Sequence, residues 1–222
     1  NDEGARNKKF SARDDYYWWN FWLNYASRGI ASKNRIFSEG TVKFLCRGDL
    51  MARALLIIDM LRDFLERDGS LYIGAGSKAI IQNVAARLKE WRLEEKPVIY
   101  IMDSHLQHDP EFEMFPTHCL AGEWGGEVVD ELTPRKEDFL ISKRRYSAFF
   151  GTDLDLTLRE LGVQELELTG VCTQICVLYT AADARMRHYD VTVRKNCVAS
   201  FDQETHEFAL KEMEKTLGVK VI

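Results

Sequence analysis

Six short apolar runs punctuate the chain after residue 50, and hydrophobic residues recur at intervals of three and four between them. The runs fall at 54–59, 97–102, 139–142, 165–170, 190–194 and 219–222; Val98-Ile99-Tyr100-Ile101-Met102 is apolar at every position. Continuous runs of this length read as strands covered on both faces. Ile80, Ile81, Val84, Leu88 and Trp91 share one helical face behind a candidate cap at Ser77, Leu154, Leu158 and Leu161 share another behind Asp153, and further helices fit 174–188 and 204–217. Strands alternating with helices predict an α/β chain: a three-layer α/β/α arrangement around a six-stranded, mostly parallel sheet with right-handed crossovers.

Residues 1–50 break the pattern. They hold ten of the chain's 25 aromatic residues, among them Tyr16-Tyr17-Trp18-Trp19-Asn20-Phe21-Trp22, yet show no sustained helical or strand period. Met51 then opens Met51-Ala52-Arg53-Ala54-Leu55-Leu56-Ile57-Ile58-Asp59, as an α/β domain would start. The expected organisation is one domain over 51–222 and an N-terminal extension over 1–50. That extension is either disordered or upstream sequence brought in by a mis-assigned start codon, or it is a docking segment whose aromatics bury against a partner.

Composition narrows the class. Residues 1–50 hold nine Lys or Arg against six Asp or Glu, so the net charge of −5 conceals a distinctly acidic body over 51–222, which argues against nucleic-acid and anionic-membrane partners. Five cysteines, an odd number in a chain large enough to need no disulfide staples, fit a reducing cytoplasm. No apolar stretch approaches the ~20 residues of a membrane span, and the aromatic run near the N-terminus, broken by Asn20 and Asn24, is no signal peptide. A cytoplasmic protein acting on a small molecule is expected, with a homo-oligomer left open.

In a parallel sheet the carboxyl ends of the strands share one edge, so residues just past each strand meet there although they are distant in sequence. Asp59 ends the first run, Asp103-Ser104-His105 follows the second, Lys143 follows the third, and Gly170-Val171-Cys172-Thr173-Gln174-Ile175-Cys176-Val177 follows the fourth. Asp103 and His105 at i and i+2, then His118 after a loop, offer the oxygen and nitrogen mixture that a borderline divalent cation accepts, with positions left open for water or substrate. Glu111 is a candidate fourth ligand. Zinc is the first candidate ion, with iron or manganese as alternatives; ordinary polar loop histidines are the competing reading. Cys176 falls in the first turn of a predicted helix, where unpaired N–H groups and a nearby Lys143 ammonium favour a thiolate and Asp59 can accept the thiol proton. Taken singly, the three are also a cap, a solvated charge and a small core residue; their convergence on one sheet edge favours a nucleophile with its base and electrostatic support.

Four segments together carry a resemblance. They are Asp59-Met60-Leu61-Arg62-Asp63-Phe64, the Asp103-x-His105 and Pro116-x-His118 pair, Lys143-Arg144-Arg145-Tyr146-Ser147-Ala148-Phe149, and Gly170 through Thr180 with Cys176 at the nucleophile position. Over residues 52–222 the sequence resembles the isochorismatase-like cysteine hydrolases, and among them the nicotinamidases. The resemblance implies an isochorismatase-like fold, with Asp59, Lys143 and Cys176 as catalytic residues and the backbone N–H groups of Cys172 and Cys176 as an oxyanion hole aimed by a cis Val171–Cys172 peptide. It implies Asp103, His105 and His118 as metal ligands and, less directly, Glu111. The implied reaction is hydrolysis of nicotinamide, or its analogue pyrazinamide, to the acid and ammonia through a thioester on Cys176, a step of NAD salvage. Phe64, Tyr146 and Trp124 are the aromatic candidates for walling the flat ring, and Cys119 has no metal role. Leu61-Arg62 departs from the Gln-Asn usual in the family, and these side chains are expected outside the site. Two other functions stay open: an amidohydrolase of the same superfamily acting on a carbamoyl or ureido substrate, and a non-catalytic metal-binding or redox-sensing protein in which Cys119, Cys172 and Cys176 respond to oxidation.

Overall fold

The computed structural model describes residues 52–222, so the expected extension over 1–50 lies outside the described residues. The strands are β1 (Ala52–Ile58), β2 (Val98–Asp103), β3 (Phe139–Lys143), β4 (Val163–Val171), β5 (Asp190–Ala199) and β6 (Lys220–Val221). They form one sheet in the order β3-β2-β1-β4-β5-β6 with every pairing parallel, which turns the expected mostly parallel sheet into a wholly parallel one. The principal helices are α1 (Ser77–Leu93), α2 (Leu154–Glu160), α3 (Leu178–Met186) and α4 (Gln203–Lys215).

The pleat of β1 explains the three layers. Leu55 and Ile57 point to one face, where Ile80, Val84, Leu88 and Trp91 of α1 cover them. Ala54, Leu56 and Ile58 point to the other, against Leu154 and Leu158 of α2, Ala181 and Ala184 of α3, and Leu210 and Met213 of α4. The chain lays β1, β2 and β3 outward in one direction, then returns to the opposite side of β1 and lays β4, β5 and β6 outward in the other. Right-handed crossovers running in opposite directions put their helices on opposite faces. The reversal leaves a crevice above the carboxyl ends of β1 and β4, where open α/β sheets bind ligands.

Gly170 holds that crevice tight. Its φ is +116°, and a Cβ built there would stand 1.9 Å from the carbonyl oxygen of Ile58. Only glycine allows the end of β4 to lie against the end of β1 in this way.

Several local expectations shift. Gly76 rather than Ser77 precedes α1, and the buried Ser77 hydroxyl pairs with Tyr72 Oη at 3.1 Å. Asp153 flanks α2 without a side-chain cap; Thr152 Oγ1 accepts from the Leu154 N–H instead, at 3.3 Å. The helix expected over 174–188 opens as a wide π turn, Thr173–Val177, before becoming α3. Strand β5 runs five residues past the expected end at 194, with an irregularity in its pairing to β4. No helix among the described residues is long and apolar enough to cross a membrane.

Candidate active site

The residues of the site come from four strand ends. Asp59 follows β1 in the left-handed region at φ 51°, a conformation aspartate tolerates better than most residues. Its N–H donates to Ile101 O at 2.9 Å, and its Oδ1 accepts from the Asp103 N–H at 2.8 Å, which ties the ends of β1 and β2 together. Asp103 and Lys143 are partners across β2 and β3. Lys143 Nζ lies 2.9 Å from Asp59 Oδ2, 3.1 Å from Asp103 Oδ1 and 3.4 Å from Cys176 Sγ. Cys176 reaches this point from the π turn after β4, which follows a cis peptide between Val171 and Cys172.

All four side chains are buried, so each charge must be offset by a neighbour. Burial disfavours the Lys143 ammonium, but Asp59, Cys176 and Asp103 hold it protonated, well above its ordinary value. Burial pushes the Asp59 carboxyl up to about 6, with Lys143 pulling against the rise and Asp103 adding to it. The Asp103 carboxyl is also penalised by burial, yet Lys143 and the His105 and His118 hydrogen bonds carry it well below the usual range. Burial and the Asp59 carboxylate push the Cys176 thiol well above its ordinary value, and Lys143 offsets only part of that. Desolvation thus opposes the thiolate that the ammonium favours. Replacing Lys143 with Met is expected to move the pH profile of Cys176 alkylation upward by at least about one unit, because the lost cation favoured the charged form. An unmoved profile would show that Lys143 does not act on the thiol.

Beside this group the imidazoles converge. His105 Nε2 and His118 Nε2 lie 3.1 and 3.4 Å from Asp103 Oδ2, and the donor atoms of the three residues all fall within 4.8 Å of one another. Both rings are tied from behind: His105 Nδ1 lies 3.1 Å from Asp109 Oδ2, and His118 Nδ1 donates to Pro116 O at 2.8 Å. Tethering Nδ1 turns both Nε2 atoms inward, the arrangement that a histidine-bound metal requires. Asp59, Asp103 and Lys143 also leave this buried group one negative charge in excess, which a divalent cation would offset. Donor set, orientation and charge all fit such an ion. Glu111 is buried nearby and falls in a second group, with His105 and Asp109; Arg145 Nη1 stands 3.8 Å from its Oε2.

A cleft opens over the two groups and touches Asp103, Glu111, His118, Cys172 and Cys176. Phe64 and Tyr146 line it. Trp124 does not, which corrects its assignment to the ring wall: it is 45% exposed, with the Arg62 guanidinium 5.7 Å above its ring. Phe115, Ile175 and Phe201 line the cleft instead and were not singled out in the sequence. Leu61 and Arg62 lie outside the lining, as expected; Arg62 pairs with Glu66, Glu127 and Asp130. Cys119 is fully buried and stands outside both groups of candidate ligands.

Two supporting aspartates also escaped the sequence reading. Asp109 accepts from the Glu111 N–H at 3.0 Å and from Arg145 Nη1 at 3.0 Å while facing His105; the Asp-Pro pair opening a helical turn was its available signal. Asp63 Oδ2 accepts from the Cys119 N–H at 2.6 Å and Oδ1 from the Ser70 N–H at 3.1 Å, anchoring the loop that carries His118. Gly125 makes room for it, since a Cβ there would lie 2.1 Å from Asp63 Oδ2.

Solved structures with this architecture carry closely related sequences. A nicotinamidase/pyrazinamidase from Bacillus subtilis superposes with a TM-score of 0.74 at 37% identity, covering 77% of this chain and 99% of that one. The pyrazinamidase of Pyrococcus horikoshii, solved in complex with zinc, gives 0.72 at 32% identity over 77% and 98% of the two chains. N-carbamoylsarcosine amidase from Thermoplasma acidophilum gives 0.70 at 32% identity over 77% and 95%. Residues 53–222 match the isochorismatase domain, a span that contains Asp59, Asp103, His105, His118, Lys143 and Cys176 alike, and the chain therefore belongs to the isochorismatase family of hydrolases.

Proposed function

We propose that this hydrolase cleaves the carboxamide of nicotinamide, yielding nicotinate and ammonia through a thioester on Cys176. One observation carries the reading: an aromatic-walled cleft brings the Cys176 thiol and the Asp103 and His118 side chains together in one pocket. Phe64, Phe115 and Tyr146 offer apolar faces for a flat heterocycle, and an amide positioned against them has its carbonyl carbon open to Cys176. Asp59 takes the thiol proton as sulfur attacks; backbone N–H groups of Cys172 and Cys176 hold the oxyanion; Asp59 returns the proton to nitrogen as the C–N bond breaks and ammonia leaves. Water then adds to the thioester with Asp59 again as base, releasing the acid and restoring the thiol. Lys143 stays protonated throughout and steadies the charges on Asp59 and sulfur.

Asp103, His105 and His118, with Glu111 as a possible fourth donor, would hold a divalent ion, zinc foremost. Such an ion supplies a Lewis-acid point of attachment for the ring nitrogen. Benzamide lacks that nitrogen and is otherwise nearly the same shape. It is expected to show kcat/KM lower by about two orders of magnitude than nicotinamide, since a polar site built for one partner rejects an analogue that leaves it unpaired. Equal values for the two amides would remove the ring nitrogen from recognition.

The likeness to N-carbamoylsarcosine amidase supports a second reading, hydrolysis of a carbamoyl or ureido substrate by the same Asp59, Lys143 and Cys176. Those substrates have no ring nitrogen, so turnover of a carbamoyl amide that survives metal removal would favour it. A cytoplasmic location fits either reaction.

A further inference from the structure

The oxyanion turn is held from a direction the proposed chemistry does not use. Thr173 follows Cys172 and opens the π turn that carries Cys176; it is 0% exposed. Its Oγ1 lies 2.8 Å from His206 Nδ1, across 33 residues of sequence. His206 sits in the first turns of α4, whose start is fixed by Asp202: the carboxylate accepts from the Thr205 N–H at 2.8 Å, and the Asp202 carbonyl accepts from the His206 N–H at 3.1 Å. On the other side, the Cys172 carbonyl is occupied by the N–H groups of Ile175 and Val177, at 3.0 and 3.2 Å. The segment from Cys172 to Cys176 is thus tied internally through the Cys172 carbonyl, and the buried Thr173 hydroxyl ties it to α4. Phe201, just before α4, lines the cleft, so the same segment also contributes to the substrate wall.

We propose that His206 is a positioning residue for the oxyanion turn: by pairing with the Thr173 hydroxyl it fixes the backbone N–H groups of Cys172 and Cys176 where the tetrahedral oxyanion forms. Burial keeps the His206 imidazole below its ordinary value, which favours the neutral ring. A buried hydroxyl paired with one ring nitrogen has one preferred orientation. Donors aimed at developing charge act through their placement, and small displacements weaken them steeply. This inference rests on the amidase reading, because it needs a carbonyl addition step.

The test separates placement of the oxyanion donors from general damage. Displacement at the saturated carbon of a small alkyl halide by the Cys176 sulfur forms no oxyanion, whereas amide hydrolysis does. Thr173→Val and His206→Phe in the full chain are each expected to lower kcat for nicotinamide on the order of tenfold, short of the ~10²–10³ for deleting a donor outright, with KM and the alkylation rate of Cys176 little changed. His206→Asn keeps an acceptor near the Nδ1 position and is expected to retain most of the activity. The double variant Thr173→Val/His206→Phe is expected to be no worse than either single one, since both remove the same bond.

Alkylation falling in step with kcat, additive losses in the double variant, or full activity in His206→Phe would each overturn the proposal. Wild-type protein that hydrolyses no amide would overturn the amidase reading and the proposal with it, whereas active wild type with unaffected variants overturns the proposal alone.

Discussion

Cys176→Ala is expected to abolish amide hydrolysis, while Cys172→Ala keeps most of it. Both cysteines are buried and both line the cleft, so position in the pocket does not distinguish them. Their neighbours do. Cys176 Sγ is the sulfur within 3.4 Å of Lys143 Nζ, which in turn lies 2.9 Å from Asp59 Oδ2, the group proposed to take the thiol proton. In the proposed mechanism Cys172 acts through its backbone N–H, which alanine retains. Loss of a nucleophile that acts as a unit with its base costs on the order of 10⁶ in kcat. Truncating Cys172 removes one small buried atom group and is expected to cost ~1 kcal/mol of stability and less than about tenfold in rate. Steady-state ammonia release from the two purified variants checks this, and equal losses would mean that the nucleophile has been misassigned.

His118→Ala is expected to lose bound metal and to weaken nicotinamide binding much more than it alters the reactivity of Cys176. His118 Nε2 lies 3.4 Å from Asp103 Oδ2 while its Nδ1 is held by Pro116 O, so removing the ring removes a candidate ligand whose orientation is already set. Changing groups that merely orient such ligands costs 10–100-fold in metal affinity, so loss of a ligand should exceed about 100-fold. The thiol is governed by burial, Asp59 and Lys143, none of which His118→Ala removes. Elemental analysis beside alkylation rates on one preparation separates these effects. Full occupancy in the variant would remove His118 from the ligand set, and a collapse of thiol reactivity would show that the ion organises the nucleophile as well.

The ends of the strands were the most legible part of the chain. Asp59, Asp103 and Lys143 each close an apolar run, and a parallel sheet converts that one-dimensional fact into proximity. Asp103, His105 and His118 were legible for a similar reason, since a two-residue step and one short loop span little distance. The rest depended on partners remote in sequence. Phe115 and Phe201 meet in one cleft although 86 residues separate them, and nothing in the local period of either marks a wall. Trp124 looked suitable as an aromatic, but its place is beside Arg62. Glu167 interrupts the apolar run of β4 and is almost wholly buried, a conflict resolved only by Arg87 Nη2 at 2.8 Å and Arg194 Nε at 2.9 Å from other elements. Burial acts on the Cys176 thiol in a way the sequence does not reveal, because residue types name the charges around a thiol and say nothing of how much water remains there.

Ammonia release from nicotinamide by the full-length protein, measured before metal removal, after stripping with a chelator and after reloading with zinc, tests the central claim most directly. The account predicts ammonia and nicotinate in equal amounts from the loaded protein, loss of most turnover on stripping with the Cys176 alkylation rate retained, and recovery on reloading. Metal-loaded protein that releases no ammonia from nicotinamide, or releases it at the same rate when stripped, would contradict it.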